Sequence, residues 1–152
     1  MNKLCAENLH LGGAVCVAQA WLEGVCGLRM ATEAVELMVS QCLLDPRPLS
    51  LPGTVSSLFL RFLTLVATFP WASKVLFVDP AASARATDRE EAQAAFDRMR
   101  ERAREGEAAP PPPIFLVTPS QRNDWVPPFT STTPSAPSWR RVVSLAQAAL
   151  HT

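Results

Sequence analysis

Leu58 to Asp79 reads LFLRFLTLVATFPWASKVLFVD. Its first half is apolar almost all the way round a helix. Leu58, Phe59, Leu60, Phe62, Leu63, Leu65, Val66, Ala67 and Phe69 leave no wide polar face. A helix of that kind is expected to be buried on all sides, in a protein core or in lipid. Lipid is the weaker choice. The run from Val55 to Phe69 is shorter than the ~20 residues that span a bilayer, and Arg61 interrupts it. Pro70 has no N–H and clashes with the preceding turn, so it ends the helix. Trp71 marks a corner, and Val75 to Val78 reads as a short buried strand.

Upstream, Gly12-Gly13 either breaks a helix or permits close packing. From Ala14 to Val25, apolar residues recur at helical spacing and lay Trp21 on the core, with Gly27 as the stop. Thr32 is the expected N-cap of the next helix, with Glu33 and Glu36 near its positive end. Val35, Met38, Val39, Cys42 and Leu43 form its apolar stripe. Asp45-Pro46-Arg47-Pro48 ends that helix, and a proline-set, ordered loop follows to Gly53.

Downstream, Thr87-Asp88-Arg89-Glu90 has the form of a capping box, with Thr87 as N-cap. The helix it opens runs to about Glu105 with a thin stripe of Ala92, Ala95, Phe96, Met99 and Ala103. Its arginines interleave with acids, which favours a solvated face over an RNA-binding one. Gly106 to Pro113 reads as a breaker that is extended and solvent-exposed, its four closing prolines a generic PxxP segment. Ile114 to Val117 is a second short strand. Pairing it with Val75–Val78 satisfies both backbones, and the helix between them permits a parallel crossover, with the orientation left open. Thr118 to Pro137 is a long loop in which Trp125 and Phe129 anchor to the core or to a partner. Ser138 to Leu150 closes the chain as a helix. Arg140 and Arg141 begin it, where the helix dipole disfavours cations, so both are expected to reach outward.

The reading so far is a mainly α, α+β chain: a helical bundle around a central helix with a small two-stranded sheet. Its 152 residues allow one compact domain. The helical core is placed at 14–79, a charged helix and proline-rich insertion at 80–113, and the strand, long loop and last helix at 114–152. Fourteen acids balance fourteen bases, so no global field draws the chain to nucleic acid or membrane. Weak RNA binding by the isolated chain follows; submicromolar affinity at physiological salt would contradict it. Cys16, Cys26 and Cys42 lie among apolar residues and read as reduced core cysteines. No CxxC pair and no His at ligand spacing supports a metal. Nothing at the start has the apolar run of a signal peptide, so a soluble intracellular chain is expected.

No phosphate loop, nucleophile elbow or Cys–His pair is present in the sequence. Asp79 ends a strand, where a metal-binding carboxylate often sits. It lacks the companion carboxylates that two-metal chemistry needs, so it is read as a loop cap. Catalytic, cofactor-binding and metal residues are therefore each expected to be none. The candidate RNA or partner contacts are Arg122, Trp125, Arg140 and Arg141.

Several segments resemble the nucleolar RNA-associated protein (Nrap) family. The first comprises Arg61-Phe62-Leu63, Leu65, Ala67, Phe69, Trp71, Leu76, Val78 and Asp79. They are similar to a family helix that ends in a Phe-Asp-Trp corner before a strand ending in Asp; Pro70 stands where that Asp is usual. Glu33-Ala34-Val35-Glu36-Leu37 matches an E-A-V-E-L segment. Trp21 matches a helix of the type R-x-x-K-R-W, with Ala18-Gln19-Ala20 in place of its basic residues. Thr118-Pro119, Arg122, Trp125, Pro134-Ser135, Arg141-Val142-Val143 and Leu145-Ala146 match a second region, with Gln121 replacing an Asp.

The resemblance implies one of the later helical lobes of the poly(A) polymerase and oligoadenylate synthetase type, in proteins whose catalytic carboxylates are lost. It further implies a scaffold in the nucleolus, assembling on pre-ribosomal RNA and small-subunit processome proteins, with no cofactor, membrane or small-molecule substrate. Against the family's far longer form the chain is expected to be a single partial domain. The alternative is the accessory substrate-binding half of an active nucleotidyltransferase; a free-standing adaptor working through Pro110–Pro113 is a third reading.

Overall fold

A computed structural model describes residues 9–44, 54–127 and 134–151. Its elements are helix α1 (Leu9–Gly24), α2 (Thr32–Leu44), α3 (Val55–Thr68), strand β1 (Leu76–Phe77), α4 (Asp88–Arg104), strand β2 (Leu116–Val117), a 3-10 turn (Pro119–Gln121) and α5 (Ala136–Leu150). Helix α3 packs against α1, α2 and α5.

The central helix is held at both ends by identifiable groups. At its start, the Thr54 hydroxyl accepts the Ser57 N–H at 3.0 Å, and the Ser57 hydroxyl accepts the Thr54 N–H at 3.1 Å. A cap of this type is worth ~1 kcal/mol. At its end, Phe69 leaves the helix in an extended conformation and its N–H reaches the Leu65 carbonyl. The next donor in register belongs to Pro70, which has none. The Trp71 indole Nε1 instead donates to the Val66 carbonyl at 2.9 Å. Gln147 of α5 then donates to the Ala67 carbonyl at 3.1 Å. Carbonyls that a helix end leaves orphaned are thus filled from the corner and from a neighbouring helix.

Helix α3 is not buried on all sides, as its composition had suggested. Leu58, Phe62, Leu63 and Val66 are buried, whereas Leu60 is 52% exposed and Thr64 and Thr68 are exposed with it. Residues 60, 64 and 68 share one stripe at i, i+4 spacing. Both threonine hydroxyls bond back to the carbonyl four residues earlier, so a narrow outward face is satisfied with few polar residues.

The two strands pair in parallel, Leu76 with Leu116 and Phe77 with Val117. Each is only two residues long, shorter than the four-residue runs read from the sequence. Their side chains alternate between two cores. Leu76, Val78, Ile114 and Leu116 join the helical cluster with Leu58, Phe62, Trp71 and Trp139. Phe77, Phe115 and Val117 face the other way, against Ala92, Ala95 and Phe96 of α4 and against Trp125. Burial on both faces explains why these strands read as unbroken apolar runs.

Other expectations are corrected by the local geometry. Gly12 and Gly13 lie inside α1 rather than breaking it. Gly13 is the close-packing site: a Cβ there would lie 2.9 Å from Val55 Cγ2. Gly27 does end the first helical segment, at φ +66°. Thr32 is already helical, and the Ala31 carbonyl accepts the Val35 N–H, so Ala31 occupies the cap position. The Thr32 hydroxyl accepts instead from Gln19 of α1. Thr87 is in helical conformation and its side chain makes no capping bond; its hydroxyl donates to Glu91. Cys16 is exposed, unlike Cys26 and Cys42. Gly106 to Pro110 are exposed as expected, whereas Pro111, Pro112 and Pro113 are half-buried and pack on the body. The Asp45–Gly53 loop and Phe129 lie outside the described residues.

Candidate functional site

Arg122 follows the short turn after β2. Thr118 opens that turn: its hydroxyl accepts the Ser120 N–H, and its own N–H reaches Gln121 Oε1 at 2.8 Å. Gln121, standing where an Asp was anticipated, thus supplies the same kind of acceptor. From here the Arg122 guanidinium reaches Asp88. Nε donates at 3.0 Å to Oδ1 and Nη2 at 2.7 Å to Oδ2. Nη2 also donates to the Ser83 carbonyl, and Asp88 accepts the Arg85 N–H at 2.7 Å. Asp88 is 1% exposed. The guanidinium holds its carboxyl below the usual range, and the carboxylate in turn raises the arginine.

Trp125 sits just beyond at φ +54°, 5% exposed, with its ring centroid 6.0 Å from that of Phe77. Arg122 and Trp125 are therefore engaged inside the fold, tying the turn after β2 to the start of α4. Arg140 and Arg141 are exposed on α5. The four residues do not converge. Arg140 lines a groove, while Arg141 acts electrostatically on Cys26.

That groove is about 840 Å³ in volume. Trp71, Phe96, Trp139 and Val143 form its apolar floor, and Pro110 to Pro113 form a wall. Arg100 and Arg104 of α4 and Arg140 of α5 line it as well, and none of its described lining residues is acidic. Each α4 arginine has an acid on its own helix: Arg100 lies 3.8 Å from Asp97, Arg104 3.2 Å from Glu101. Exposed pairs like these are worth ~0–1 kcal/mol, so a ligand can compete for the arginines. Trp139 stacks edge-on against Trp71, centroids 5.2 Å apart. It is 2% exposed, and its indole Nε1 is buried without a hydrogen-bond partner among the described residues. Leaving a buried donor unpaired costs about 1–3 kcal/mol. Sequence reasoning missed this groove. The aromatic Trp139 directly before Arg140 was its one local signal.

Asp79, the strand-end carboxylate, accepts the Ser83 N–H on Oδ1 and the Ala84 N–H on Oδ2, at 2.9 and 3.0 Å. Both oxygens are occupied by the turn they cap. Among the described residues, no cluster of three His, Cys, Asp or Glu side chains is placed to hold a metal. No described helix is long and apolar enough to cross a membrane.

Residues 9–152 match the family described as Nrap protein PAP/OAS1-like domain 5. The chain is similar to nucleolar protein 6 of Xenopus tropicalis, 31% identical over 146 residues that make up 95% of this chain and 12% of that protein. It is also similar to nucleolar protein 6 of Homo sapiens, 31% identical over 151 residues, 99% of this chain and 12% of that protein. The chain thus spans about an eighth of the length of these relatives.

Proposed function

The chain belongs to the Nrap family, and from that premise we propose that it is a non-catalytic contact module of an RNA-associated ribosome-biogenesis factor. Its setting is the nucleolus, the compartment that gives the relatives their name. In this reading the full-length protein assembles on pre-ribosomal RNA and small-subunit processome proteins, and this segment contributes surface rather than chemistry. The observation that carries it is Asp79. The carboxylate at the end of β1 has both oxygens taken by backbone N–H groups. Each oxygen thus caps the turn that follows the strand, a structural use of the carboxylate that supports the reading.

The test has two arms. Tagged chain is purified from nucleoli, and bound RNA and proteins are identified; pre-ribosomal RNA with processome proteins is the expected result. The chain is also incubated with RNA, nucleoside triphosphates and Mg²⁺, and no nucleotide addition is expected. Recovery of neither RNA nor processome proteins contradicts the proposal. Nucleotide addition by the chain, or by the full-length protein through it, favours the accessory half of a nucleotidyltransferase instead.

A further inference from the structure

We infer that the groove between α4 and α5 receives an extended acidic segment of a partner protein, with an apolar side chain entering the floor formed by Trp71, Phe96 and Trp139. This rests on the contact-module reading and names the occupant of its surface. Two features converge on it.

The first is size and lining. A volume of about 840 Å³ falls within the roughly 300–1,000 Å³ of ligand-binding clefts, and its floor is apolar. The second is charge. Arg100, Arg104 and Arg140 line the groove with no acid among its described lining residues. Arg100 and Arg104 are one helical turn apart, so their Cβ atoms stand ~5–6 Å from each other on one face. Same-face side chains of an extended segment recur every ~6.6 Å. Acids at alternate positions of a strand-like peptide therefore meet both arginines, and the residue between them points to the floor.

Single-stranded RNA fits less well. The chain's net charge of zero provides no broad field for a phosphate backbone.

The experiment uses the whole chain and a fluorescein-labelled peptide, Glu-Leu-Glu-Phe-Glu-Leu-Glu, with its all-Gln counterpart and a seven-nucleotide oligouridylate as controls. Anisotropy reads binding, and the Trp139 indole N–H resonance reports the site. Expected is micromolar binding of the Glu peptide, weakened about tenfold by Arg104→Glu or Arg140→Glu and strongly reduced for the Gln peptide. The indole resonance shifts on peptide addition. The inference is overturned if the exposed Arg140→Glu variant binds the peptide as wild type does. It is also overturned if the indole resonance stays fixed, or if oligouridylate binds the groove more tightly than the peptide. Failure of peptide binding in a protein that still enters pre-ribosomal particles removes the occupant and leaves the proposed function standing. Peptide binding in a protein that never enters those particles does the reverse.

Discussion

The Trp71 indole stands in for the backbone donor that Pro70 lacks, giving its Nε1–H to the Val66 carbonyl at 2.9 Å. Proline ends α3, and the next side chain repairs the hydrogen bond that proline removes. Trp71→Phe keeps much of the packing against Trp139 and orphans that carbonyl. A loss of about 1–3 kcal/mol is expected, read as a lower urea midpoint. Pro70→Ala in the same background restores an N–H in register and recovers part of the loss. An unchanged midpoint for Trp71→Phe would refute this account of the corner.

The adjacent glycines of α1 should respond differently to one methyl group. Gly12 is exposed and a Cβ there meets nothing within 4 Å, so Gly12→Ala stabilises by about 0.5–1 kcal/mol. A Cβ on Gly13 lies 2.9 Å from Val55 Cγ2, and overpacking of that kind costs about 1–3 kcal/mol. Gly13→Ala is expected to be neutral to destabilising by thermal melting. Val55→Ala should move the Gly13→Ala effect toward that of Gly12→Ala.

The Asp88–Arg122 pair predicts an acid limb. Asp88 is held below its ordinary value of 3.8, first by the Arg122 hydrogen bonds. Near that value the unfolded chain binds more protons at this site than the folded chain, so stability rises with pH. The contribution is fully present above the ordinary value and is lost as pH falls through the lowered one. Asp88→Asn should flatten this limb of a stability–pH curve. Arg122→Ala should destabilise more than Arg140→Ala, because it leaves Asp88 buried and unpaired. A double Asp88→Asn, Arg122→Ala variant no less stable than the worse single one would show the two acting as a unit.

Thiol reactivity should sort by burial. Burial pushes the Cys42 thiol up to about 12 and also raises Cys26, whereas Cys16 is exposed. Thiolate is the reactive form. At pH 8 iodoacetamide should label Cys16 well before Cys42, as read by mass spectrometry. Urea should abolish the difference, and equal native rates would contradict the packing of α2.

Much of the scaffold is legible in the chain because local chemistry determines it. Pro70 and Trp71 mark the corner, Val35 to Leu43 show the α2 stripe, and the two apolar runs pair with each other, in a parallel orientation that the sequence left open. What escaped reading depends on distant partners. Thr87 and Glu90 have the letters of a capping box, yet Asp88 turns inward because Arg122 reaches it from 34 residues away. Leu60 looks like a core residue until the neighbours of α3 cover only its other sides. Arg122 and Trp125 carried the look of contact residues, but their partners lie within the fold. Pro110 to Pro113 became a groove wall only because α4 and α5 lie beside them. No periodicity encodes that juxtaposition.

The central claim is that this segment holds partners through the arginine-lined groove. Its most direct test is gradient sedimentation of nucleolar extract containing full-length protein with Arg100→Glu, Arg104→Glu and Arg140→Glu. These substitutions lie on partly or fully exposed positions. The account predicts that the variant leaves the pre-ribosomal fractions and sediments as free protein. A profile matching the wild type, with the variant still in those fractions, would contradict it.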